Sequence, residues 1–81
     1  MSDSLDGKRI VVGFKQSIKA IKNEEVELVF LAIDASSNIV IPIIRACDDA
    51  QISTINREHT MTQLGEMANI DIEAAVVVVL K

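Results

Sequence analysis

The sequence predicts a layered α/β sandwich. Short apolar runs alternate with segments of helical period, in the order strand, helix, strand, helix, strand, helix, strand. Its hydrophobic content of 49% is concentrated in Ile, Val, Leu and Ala, with two Phe and no Trp or Tyr. That aliphatic bias suits a buried sheet covered by helices. Its 81 residues make one domain near the lower limit of unaided folding, so the core has to be efficient.

Residues 1 to 8 read as a polar lead-in with a helical turn before Gly7, and 9 to 81 as a single domain. Ile10-Val11-Val12 is a short strand, ended by Gly13 where the backbone needs freedom that other residues lack. Phe14, Ile18 and Ile21 then recur at i, i+4, i+7, and Lys15, Lys19 and Lys22 repeat that spacing on another face. This predicts a helix over 14 to 23 with one buried and one basic side.

Val26 to Ile33 is a nearly continuous apolar run that reads as a buried strand. Asp34-Ala35-Ser36-Ser37-Asn38 is loop and cap chemistry before a helix of about 38 to 50. Pro42 should kink that helix's first turns or mark where its regular part begins. Ile52 to Ile55 reads as a strand. Thr60-Met61-Thr62-Gln63 matches a capping box, so a short helix of about 61 to 68 follows, stopped by Asn69 in a left-handed turn. Residues 70 to 73 form a connecting loop, and Ala74 to Leu80 is the most apolar strand.

Charge is segregated along the chain. Five of the eight basic residues (Lys8, Arg9, Lys15, Lys19, Lys22) lie in 7 to 22, with no Asp or Glu among them. From residue 23 onward there are three basic and ten acidic residues. The net charge of −4 counts against generic phosphate binding but leaves room for a local basic site. The lone Cys47 excludes an internal disulfide, suits a reducing cytoplasm and reads as a buried apolar group. No apolar run is long enough to span a membrane and the first residues are too polar for a signal peptide, so a cytoplasmic protein is expected.

Three stretches carry a family resemblance: Val11-Val12-Gly13-Phe14-Lys15-Gln16-Ser17-Ile18-Lys19-Ala20-Ile21-Lys22, the strand end Phe30-Leu31-Ala32-Ile33-Asp34-Ala35, and Leu64 to Val76. Together they resemble the ribosomal protein L seven Ae / L thirty e superfamily, in the style of its short bacterial members, over residues 9 to 81. The resemblance implies a three-layer α/β/α sandwich with a mixed four-stranded sheet, and binding to kink-turn RNA, either ribosomal RNA or a transcript. A kink-turn is a bent helix, internal loop, helix motif containing tandem sheared G·A pairs. The implied contacts are Gly13, Phe14, Lys15, Gln16, Lys19 and Lys22 at the first turn and helix, with Ile70 and Ile72 on a second loop at 69 to 73. The chain departs from the family's pattern with Phe14 in place of a small residue, with Asn69 and Gln51 where glycine is usual, and with Asp71 and Glu73 as carboxylates on the second loop.

The chemistry of these positions is consistent with that role. Gln16 both donates and accepts, as an exposed base edge requires. Lys15 and Lys19 offer donors to guanine acceptors and phosphates, and Ile70 and Ile72 suit apolar contact with a splayed base. Ordinary readings stand beside these: the lysines as a solvated helix face, and Ile70 and Ile72 as the apolar contact that follows a helix end. The expected function is non-enzymatic RNA binding by a monomer, with a protein-interaction module of the same fold as the alternative. No cofactor is expected, and the sequence has no nucleophile–histidine, metal-spaced or phosphate-loop pattern. His59, the only histidine, reads as an ordinary loop residue.

Overall fold

A computed structural model describes residues 7–23 and 26–81; the helical turn expected before Gly7 lies outside them. The elements run β1 (Ile10–Val12), α1 (Phe14–Asn23), β2 (Val26–Leu31), α2 (Ser37–Asp49), β3 (Ile55–Asn56), α3 (Met61–Met67) and β4 (Val76–Leu80). All seven expected elements are present in the expected order.

The sheet has the order β1-β4-β2-β3, with β4 antiparallel to both neighbours and β2 parallel to β3. It is the mixed four-stranded sheet that the resemblance implied. β4 lies at the centre because Val76 to Val79 are all buried, and a strand without a polar side has to be covered on both faces. One face carries Val29, Leu31, Val76 and Val78, which pack with Ile21 of α1 and Ile43, Ala46 and Cys47 of α2. The other carries Phe30, Val77 and Val79, packed with Leu64 and Met67 of α3. The two-residue alternation of a strand thus divides the core into two clusters and makes the three layers.

Glu27 breaks that alternation. Val26 joins the first cluster and Leu28 packs against the second, although residues two apart on a regular strand share a face. The pairing register with β4 shifts between these residues, so Glu27 is the extra residue of a bulge. Its exposed carboxylate lies 3.6 Å from the Lys8 ammonium.

Several boundaries differ from the sequence expectation, each for a local reason. β2 stops at Leu31, not Ile33, because Ile33 turns outward to donate its N–H to the His59 carbonyl at 2.9 Å. The strand expected over 52 to 55 shifts to Ile55–Asn56, because the Ile52 N–H instead closes α2 on the Cys47 carbonyl at 2.8 Å. β4 begins at Val76, since Ala74 donates to the Met61 carbonyl. Regular helix begins at Ser37, ahead of Pro42, and runs on past it. The proline removes one helical N–H opposite the Asn38 carbonyl, in an exposed first turn where water can replace the lost bond.

Helix ends behave as the side chains dictate. Thr60 accepts from the Gln63 N–H and the Gln63 side chain accepts from the Thr60 N–H, completing the capping box. At its C-terminus the Ile70 N–H bonds to the Gly65 carbonyl and the Asn69 N–H to the Glu66 carbonyl, with Asn69 at φ 62°. That is a Schellman motif. α2 ends in the same way, with Gln51 at φ 60°.

Candidate nucleic-acid interface

The sheet register decides which loops meet. Val12 pairs with Val77 and Leu31 with Val76, so the end of β1, the end of β2 and the start of β4 share one edge. The Gly13 N–H donates to the Val76 carbonyl at 3.3 Å and the Ala32 N–H to the Ala75 carbonyl at 2.9 Å. Parallel pairing brings the end of β3 there as well. The turn at Gly13 and the loop at 69 to 73, separated by more than fifty residues of sequence, therefore open onto the same end of the molecule.

Gly13 sits at φ 104°, a conformation closed to other residues, while the space around its missing Cβ is empty. The glycine is required by the backbone turn and leaves an open surface above it. Its carbonyl accepts the Ser17 N–H at 2.9 Å, so it starts α1 without a side chain that could cap the first amides. No acidic residue lies in the first turn. The end of the helix thus presents N–H groups and a partial positive charge to solvent. By contrast, the start of α3 is closed by its capping box and by Asp34, whose Oδ1 accepts the Met61 N–H at 2.8 Å.

On α1, Lys15, Gln16, Lys19 and Lys22 are all exposed, and Phe14 is half-buried against the core. The lysines do not share one environment. Lys15 and Lys22 line a groove against α2, and Gln16 and Lys19 are not part of it. At 100° per residue Gln16 and Lys19 lie further round the helix, away from α2. The other two basic residues of the charged segment are placed elsewhere. Lys8 and Arg9 precede β1, with Lys8 beside Glu27 and the Arg9 guanidinium donating to the Lys81 carbonyl at 3.4 Å. A three-residue strand, roughly 10 Å long, separates them from Gly13.

The second loop separates its two isoleucines. Ile70 packs against the cluster around Leu64 and follows the helix end, whereas Ile72 is 72% exposed. An isoleucine so exposed is free to meet an apolar face of a partner. Gly65 supports this loop, and its role was not recognised in the sequence: a Cβ there would overlap the Ile72 carbonyl oxygen. The Glu73 carboxylate accepts a hydrogen bond from the Thr62 hydroxyl at 3.0 Å, which draws its charge back toward α3. Asp71 stays exposed.

The remaining titratable candidates are structural. Cys47 is fully buried, and burial pushes its thiol pKa up, away from the reactive thiolate. The His59 ring stands edge-on to Phe30 with centroids 5.8 Å apart, so it packs rather than lying free in its loop. Among the described residues there is no group of three or more His, Cys, Asp or Glu that could hold a metal, and no helix is long and apolar enough to cross a membrane.

The pattern of the Ribosomal protein L7Ae/L30e/S12e/Gadd45 family matches residues 1–81. The chain belongs to this family. An RNA-binding protein from Caldanaerobacter subterraneus subsp. tengcongensis is 40% identical over 75 residues, covering 93% of this chain and 89% of its own length. The RNA-binding protein YbxF of Geobacillus stearothermophilus is 32% identical over 77 residues, covering 95% and 93%. The solved structure of a protein of unknown function from Bacillus halodurans C superposes with a TM-score of 0.80 at 26% identity, covering 89% of this chain and 71% of that one. For a member of the L7Ae/L30e family, the α/β architecture with a mixed four-stranded sheet and three helices is the expected one.

Proposed function

We propose that this L7Ae/L30e family member is a non-enzymatic RNA-binding protein that recognises a kink-turn through residues 13–19 and the loop at 69–73. The observation that carries this reading is the shared end of the sheet, where an uncapped, acid-free helix start and the loop that exposes Ile72 both adjoin the strand ends. The relatives named for RNA binding support it. Gln16 reads a base edge by donating and accepting, Lys15 and Lys19 meet guanine acceptors and phosphates, and Ile72 lies against an unpaired base.

Titrating a kink-turn RNA against an unbent duplex of the same length tests this directly. The kink-turn is expected to bind more tightly, and the double substitution Gln16→Ala with Lys19→Ala is expected to abolish the difference. Each phosphate contact should contribute about 0.7 to 0.9 to the salt slope, so few contacts give a shallow dependence. Equal binding of both RNAs, or an unaffected double variant, would exclude the reading and favour a protein-interaction module of the same fold.

A further inference from the structure

The groove between α1 and α2 lies beside the proposed kink-turn contacts: Phe14 and Lys15 border both surfaces, whereas Gln16, Lys19 and Ile72 do not line the groove. Phe14, Ile41 and Pro42 contribute its apolar walls, and among the described residues that line it Lys15, Lys22 and Arg45 stand against one carboxylate, Asp49. A local excess of positive charge is unexpected on a chain of net charge −4 and marks a place for an anionic partner. The open groove has a volume of about 430 Å³, within the size range of sites for single small ligands.

Two residues there break local rules. Pro42 occupies the sixth position of α2, where helix propensity disfavours it, and its ring contributes to the groove. Ile41 beside it is 53% exposed. Departures from local preference concentrate at functional sites. An aromatic ring and a proline ring below three cations match a base together with its phosphates, and Asp49 offers an acceptor for a ribose hydroxyl. A helical peptide would instead need an apolar track several turns long.

We propose that this groove holds one unpaired nucleotide of the bound RNA, with its base against Phe14 and Pro42 and its phosphates at Lys15, Lys22 and Arg45. The inference rests on the RNA-binding reading above and adds to it a second contact surface, on the α2 side of α1.

The test uses a blunt kink-turn RNA and the same RNA carrying a three-uridine single-stranded extension on one strand or the other. One extension should tighten binding about fivefold to tenfold, the lower end of the range for one stacked base. Arg45→Glu and Ile41→Asp, both at exposed positions, should remove that gain and leave blunt-RNA affinity and thermal stability unchanged. If the blunt RNA binds and neither extension tightens it, this inference is wrong and the kink-turn reading stands. If the blunt RNA does not bind, both fall. If an acidic, leucine-containing peptide shifts the Ile41 methyl resonances and the extended RNA leaves them unmoved, the groove takes protein and the inference is likewise wrong.

Discussion

Gly65 and Ile72 are in backbone contact: the space a Cβ would fill at residue 65 is occupied by the Ile72 carbonyl oxygen. The Gly65 carbonyl also accepts the Ile70 N–H at 3.0 Å. A buried helical glycine therefore sets the height of the loop that exposes Ile72. Gly65→Ala would gain helix propensity of up to about 1 kcal/mol but force the loop outward against backbone, and overpacking of this kind costs typically 1–3 kcal/mol. The expected net result is a destabilised protein with weaker affinity for the kink-turn RNA proposed above, although Gly65 itself is buried. A urea midpoint at or above wild type would show that the loop yields freely.

Gln51 should respond in the opposite sense. Its φ of 60° is a left-handed conformation, which costs a residue with a Cβ roughly 1–2 kcal/mol. Gln51→Gly removes that cost but adds unfolded-state entropy, leaving a net gain of about 0.5–1 kcal/mol. For a domain of this size that is a rise of a few degrees in Tm. Asn69→Gly, at the same conformation, should gain less because asparagine tolerates it. Calorimetry on the two variants separates the cases.

The start of α3 depends on two side chains from different segments. Thr60 accepts the Gln63 N–H and Asp34 accepts the Met61 N–H. α3 has only seven residues, too few to persist without fixed ends and packing. Thr60→Ala and Asp34→Ala should each cost about 1 kcal/mol. Hydrogen exchange at Leu64, whose N–H bonds to the Thr60 carbonyl, should speed up in both.

Cys47 makes stability depend on alkaline pH. Burial raises its pKa in the folded state, so the unfolded chain gives up the thiol proton first. The folded state is thus favoured fully below the unfolded thiol's range and loses that advantage as pH rises through the folded value. The urea midpoint should fall above about pH 8.5. Cys47→Ala should lack that component of the fall, and a thiol reagent should modify the native protein only as fast as it opens.

The sequence by itself determined the element order and the types of all seven elements. Periods of two and 3.6 separate strands from helices wherever one face is buried, as in Phe14, Ile18 and Ile21. It also determined both ends of α3, because Thr60, Gln63 and Asn69 act on backbone groups within a few residues. The boundaries around Ile33, Ile52 and Ala74 were not legible, since their N–H groups bond to His59, Cys47 and Met61. Choosing between such partners and a strand neighbour is a matter of competition in space, which apolar pattern alone does not encode. The tertiary structure also decided how the candidate site is divided. Spacing placed Lys15, Lys19 and Lys22 on one helix face, and only the packing of α2 beside α1 put Lys15 and Lys22 on a groove that Lys19 does not line. Ile70 and Ile72 are alike in sequence, yet the first packs half-buried against the helix end and the Gly65 contact holds up the second. Local chemistry fixes what each segment can form, and long-range register and packing fix what it faces.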